Sequence, residues 1–156
     1  MYHHILPETG FITVSEANFR DQLRAIKRGG WHTLSASEFL DFKLKGYKPP
    51  KKSLLITFDD GWLDNYVYAY PLLKEHEFRA TVFVVTDWIE NAPKSGNEKL
   101  MYVNHKESDR RARVKEAGAV FNVDQMRESS DFFGFHSHLP NHTHRGKNSV
   151  DFSGEL

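Results

Sequence analysis

The run Ser53-Leu54-Leu55-Ile56-Thr57-Phe58 leads straight into Asp59-Asp60-Gly61, and no other stretch limits the fold as sharply. Apolar and β-branched residues bounded by Pro49-Pro50 and Gly61 predict a buried strand over 53–58, ending at the two carboxylates. Two like charges side by side raise each other's pKa, so a cation at the strand end would make their adjacency tolerable. The question the sequence poses is where further ligands come from. Four of the nine histidines fall at 136, 138, 142 and 144, directly after a second strand-like run, Phe132-Phe133-Gly134-Phe135.

Between these two features the chain alternates. Met1 to Ile5 is expected to end a short strand with His3 and His4 at its tip. Ser15 is a candidate N-cap for a helix over about 16–28, where Phe19, Leu23 and Ile26 recur at helical spacing and Gly29-Gly30 stops the run. Trp31 to Leu34 reads as extended. Ser37 is a candidate cap for a second helix carrying Phe39, Leu40 and Phe42. An aromatic helical stretch over about 62–75 follows Gly61, with Pro71 kinking it or starting a new turn. Phe78 to Thr86 is the next strong strand, so strand, helix and strand form a βαβ unit with parallel strands. Lys106 to Lys115 is dense in both signs of charge and reads as a solvated helix. Asp124 is a candidate cap for a short helix to about Ser129.

Composition narrows the chemistry. With 156 residues, 39% hydrophobic and 27% charged, the chain suits one folded domain with a real core. Lys plus Arg and Asp plus Glu both number 21, which argues against a nucleic-acid partner held by bulk positive charge. The absence of cysteine excludes disulfides, thiolate zinc sites and cysteine nucleophiles. No apolar run nears the ~20 residues of a membrane span, and Met1 to Pro7 lacks the features of a signal peptide.

In a parallel α/β architecture the segments after the strands gather on one face. The carboxylate pair and the histidines therefore have a physical reason to meet. Carboxylate oxygen with imidazole nitrogen suits zinc or another divalent first-row metal, and two histidines with one aspartate leave a position for water. Each motif alone has a plainer explanation. Asp-Asp-Gly is commonly a turn, and four clustered histidines can be a surface tract. Their conjunction after two strands favours function.

Thr57-Phe58-Asp59-Asp60-Gly61 resembles the first motif of the polysaccharide deacetylases, carbohydrate esterase family 4 with the NodB-homology fold. Ser137-His138-Leu139-Pro140-Asn141-His142 resembles the second, with Leu139 standing where Ser or Thr is usual. Met1-Tyr2-His3-His4-Ile5 and the segments 69–73 and 80–84 are similar to the subgroup acting on poly-β-1,6-N-acetylglucosamine of biofilm matrix. The resemblance covers most of 1–90 and 119–144.

The resemblance implies an α/β fold of the distorted (β/α) barrel type. It implies one partial domain over 1–156, truncated on its C-terminal side, with a charged insertion at about 90–118. It implies a metal-dependent N-deacetylase in which Asp60, His138 and His142 bind the metal, zinc before cobalt or nickel, and Asp59 is the catalytic base. His136 and His144 compete as ligands, each two residues from a preferred one. His3 and His4 are expected to line the substrate cleft, or to lie on the surface or behind the metal ligands. Trp62, Tyr66 and Trp88 are sugar-stacking candidates or core residues. The family's orienting arginine and general-acid histidine have no match after His144, and Arg145 lies too near the second motif to supply the arginine. The expected partner is a polysaccharide containing N-acetylglucosamine, met outside the cytoplasm. Peptidoglycan or chitin oligomers are the alternative substrates, and a non-catalytic carbohydrate-binding module is the alternative class.

Overall fold

The computed structural model describes residues 1–90, 92–93 and 104–140. Strands β1 (His4–Leu6) and β2 (Thr13–Ser15) pair in parallel, as do β3 (His32–Thr33) and β4 (Ser53–Leu54). The central sheet runs β5 (Thr57–Asp60), β6 (Ala80–Val85), β7 (Phe133–Leu139), all parallel. Tyr2 joins β1 to this sheet: its N–H donates to the Thr57 carbonyl at 2.8 Å, and its own carbonyl accepts from Asp59 N–H at 2.9 Å. The expected α/β class with parallel strands is what forms. The single predicted strand over 53–58 is instead two short ones. The chain leaves β4 at Leu54 and enters a different sheet at Thr57, with Thr81 N–H bonded to the intervening Ile56 carbonyl at 2.8 Å.

Helix α1 (Glu16–Arg28) starts where the sequence places it, with the Ser15 hydroxyl accepting from Asn18 N–H at 3.1 Å. Its Phe19 and Leu23 are fully buried. The other two expected caps shift by two residues. Helix α2 (Ala36–Leu44) is capped by Ser35, not Ser37, through a reciprocal box with Glu38. Helix α6 (Val123–Glu128) is capped by Asn122, not Asp124, through a box with Gln125. Each true cap has a Glu or Gln three residues on whose side chain returns to the cap's N–H.

The aromatic stretch divides into a π-helical turn (Asn65–Ala69) and helix α3 (Tyr70–His76), with Pro71 in the first turn of α3. The helical run is continuous through Pro71, whose missing N–H leaves a carbonyl of the preceding π-turn without its helical donor. Helix α4 (Thr86–Ile89) follows β6, and α5 (His105–Arg113) is the charged helix. Phe58 lies at the middle of the core, with the Tyr2, Phe133 and Phe19 rings 5.4, 5.7 and 5.9 Å from it. Trp62, Tyr66 and Trp88 are buried. They serve the core and present no face to a sugar.

Candidate functional site

The two aspartates do not follow the strand; they are its last residues. Asp59 pairs across the sheet with Phe83, and Asp60 with Val84. Pairing holds the backbone of both while successive side chains take opposite faces. Asp60 then turns into the left-handed region at φ 74°, which Asp tolerates better than bulkier residues. Gly61 follows at φ 83°, and a Cβ there would sit 2.9 Å from Val84 Cγ1. Only glycine fits that close approach. The returning segment 119–121 closes over this turn, Phe121 N–H reaching the Gly61 carbonyl at 3.0 Å.

The histidines likewise lie within a strand rather than after one. His136 pairs with Phe83, Ser137 with Val84 and Leu139 with Val85, so His138 is an extra residue at a bulge. A bulge breaks the two-residue alternation and re-aims a side chain. His138 Nε2 stands 3.8 Å from Asp60 Oδ1. The His136 ring lies against Phe83, with 6.2 Å between centroids. Of His136 and His138, it is His138, the preferred ligand, that is brought to the carboxylate. His142 and His144 lie outside the described residues. Among the described residues no three His, Asp or Glu side chains form a complete metal-binding group.

Asp60 is 2% exposed, and its Oδ2 accepts from the Trp62 indole N–H at 3.2 Å. A buried carboxylate oxygen and an imidazole nitrogen at this spacing are donors that suit a divalent first-row ion. Asp59 is more open, and its Oδ2 lies 4.0 Å from His3 Nε2. The Tyr2 link to β5 sets that approach, since it fixes the residue next to His3 against Thr57 and Asp59. His3 is thus held beside Asp59.

His4 is not on the surface but behind the Trp62 ring that bonds Asp60. It opens β1 and is 2% exposed, with Nδ1 2.6 Å from Asp64 Oδ2. A carboxylate only accepts, so Nδ1 carries the hydrogen in this pair. Asp64 Oδ1 accepts from Ile5 N–H at 2.9 Å and from Asn65 Nδ2 at 2.7 Å. The His4 ring stacks on Trp62 at 4.7 Å, and its Nε2 is buried without a hydrogen-bond partner among the described residues. Beside it, the His105 ring at the start of α5 is 5.8 Å from both His4 and Trp62 and 6.4 Å from His3. Burial holds His105 below the usual histidine pKa, and the neighbouring His4 adds to that.

Sequence reasoning missed Asp64, Asn65 and His105. Asp64 is separated from His4 by 60 residues, and no local pattern links them. His105 sits at the edge of a charge-dense stretch that reads as solvated.

The family model described as polysaccharide deacetylase matches residues 46–147. A poly-β-1,6-N-acetyl-D-glucosamine N-deacetylase of Staphylococcus aureus (strain MSSA476) is 41% identical over 76 residues, 47% of this chain and 25% of its own length. The Bacillus subtilis (strain 168) protein YxkH is 36% identical over 85 residues, 54% of this chain and 30% of its own. Among solved structures, the Streptococcus pyogenes deacetylase PplD, in complex with acetate, superposes with a TM-score of 0.67 at 26% identity. That match covers 88% of this chain and 53% of PplD. IcaB from Ammonifex degensii gives 0.65 at 22% identity over 88% and 50%, a likeness of fold alone. The chain spans a quarter to a third of the curated relatives' length and about half of the solved chains.

Proposed function

This chain belongs to the polysaccharide deacetylase family, and we propose from that premise that it removes N-acetyl groups from a β-linked N-acetylglucosamine polysaccharide. The observation that carries the reading is the approach of His138 to the buried Asp60, 3.8 Å apart, beside the more open Asp59. Asp60 and His138, with His142 as third ligand, would hold a divalent ion, zinc before cobalt or nickel. Such an ion, when bound, lowers the pKa of water and polarises an amide carbonyl.

The remaining work falls to side chains of this chain. Asp59 takes the proton from water as the oxygen attacks the acetamide carbon. As the C–N bond breaks, the proton taken from water passes on to the leaving nitrogen, so acetate leaves and the sugar keeps a free amine. The Trp62 indole N–H fixes one oxygen of Asp60, so the carboxylate holds one orientation through the cycle. His3, 4.0 Å from Asp59, stands where it can orient the base once substrate closes the gap. The β-1,6-linked biofilm polymer is the substrate class supported by the Staphylococcus aureus relative. A distorted (β/α) barrel is the architecture supported by the structural neighbours. A polymer of that kind places the reaction outside the cytoplasm. No helix among the described residues is long and apolar enough to cross a membrane.

The test is acetate release from a β-1,6-linked N-acetylglucosamine oligomer by the zinc-loaded chain. Asp59→Asn is expected to lower turnover by roughly 10²–10⁴-fold while bound metal stays near one per chain. Unchanged turnover would remove Asp59 from the base position. Oligomer binding with no acetate release from the unsubstituted chain would favour the carbohydrate-binding module.

A further inference from the structure

Phe11 is 73% exposed, whereas Trp62, Tyr66 and Trp88, with sugar stacking or the core as their expected roles, are all buried. It borders a cavity of about 480 Å³ lined by Phe11, Asn104, His105, Lys106 and Asp109. That volume falls within the usual range for small-ligand sites. The wall opposite Phe11 is the first turn of α5, and the Phe11 and His105 rings are 6.4 Å apart. His105 is also 6.4 Å from His3, whose Nε2 is 4.0 Å from Asp59. The cavity therefore lies on the same side as His3, with the His105 and His3 rings between it and the proposed base.

We propose that this cavity is a sugar subsite, taking the pyranose next to the one whose N-acetyl group meets Asp59. The inference rests on the polysaccharide reading given above. A hexopyranose has one face of axial C–H groups and a rim of hydroxyls. An exposed aromatic face attracts the first through its negative π cloud. The second needs hydrogen-bonding groups at the edge, which the polar residues of the α5 first turn provide. Asp109 is held by the Arg113 guanidinium at 2.7 and 3.2 Å, so Asn104 and Lys106 are the groups of this wall that meet the hydroxyl rim. An exposed phenyl ring adds nothing to the core here, and its place on the cavity wall, 6.4 Å from the His105 ring, gives it a use.

The experiment is calorimetric titration of the zinc-loaded Asp59→Asn chain, which leaves substrate uncleaved, with N-acetylglucosamine and its β-1,6-linked trimer. Phe11→Ala in that background is expected to weaken trimer binding about tenfold. Monomer binding and melting temperature should stay where they are, and Phe11→Tyr should keep trimer affinity. Equal trimer affinity with and without the Phe11 ring overturns the subsite alone. No trimer binding by the Asp59→Asn chain overturns the polysaccharide reading and the subsite with it.

Discussion

Asp64 accepts hydrogen bonds from His4 Nδ1, Ile5 N–H and Asn65 Nδ2, all in buried surroundings. Removing the carboxylate leaves those donors with no water to turn to. A stranded buried donor costs about 1–3 kcal/mol. Asp64→Ala should therefore lower unfolding stability by about 3 kcal/mol, read from urea denaturation, whereas an exposed aspartate such as Asp21 should move it by under about 0.5 kcal/mol. A loss for Asp64→Ala below about 1 kcal/mol would mean these donors find other partners. The same side chain sets the site's floor. It holds His4 under Trp62, and Trp62 holds Asp60. Asp59 and Asp60 could be singled out from the sequence because two adjacent carboxylates at the end of an apolar run are electrostatically conspicuous. Asp64 could not, because a single acidic residue in a polar-aromatic stretch carries no such mark.

At the scale of elements, caps and bulges decide what the hydrophobic pattern leaves open. In α2, Ser35 accepts from Glu38 N–H, and the Glu38 carboxylate accepts from Ser35 N–H at 2.8 Å, which pulls that carboxyl below its usual pKa. Ser35→Ala should cost about 1 kcal/mol, while Ser37→Ala should change stability by less than about 0.5 kcal/mol. Thermal or urea unfolding of the two variants separates them, and the reverse order would return the cap to Ser37. The sequence signal was present: Ser35-x-x-Glu38 is a capping box, and it outranks a lone serine. The bulge in β7 had no such signal. Period-two alternation puts His136 and His138 on one face, and only the skipped pairing between Val84 and Val85 parts them.

For the whole molecule, the site is an assembly of distant parts. β1 and the Tyr2 link bring His3 and His4, β5 brings the aspartates, β7 brings His138, and α5 brings His105. That packing has a pH signature. His105 is held below its unfolded value near 6.5, chiefly by burial. Between the two values the unfolded chain binds more protons than the folded one. Stability contributed by this residue is thus full above about pH 6.5 and is lost as pH falls toward the depressed folded pKa. The urea midpoint should drop between pH 7 and pH 5, and His105→Gln should flatten that part of the profile. An unchanged slope in the variant would place the acid sensitivity elsewhere.

The sequence by itself determined the α/β alternation, the parallel pairing of β5 and β6, the course of α1, and the conspicuous pair Asp59-Asp60. These follow from local rules: hydrophobic period, turn residues, capping, and the repulsion of adjacent charges. The tertiary structure alone decided that the carboxylates end a strand rather than follow it, and that His138 rather than His136 reaches Asp60. It also buried Trp62, Tyr66 and Trp88, left Phe11 exposed, and closed the His4–Asp64 pair. The reason is common to all of these. Each depends on which segments lie side by side, and side-by-side packing is set by cross-strand register and core filling over tens of residues, where no local rule reaches.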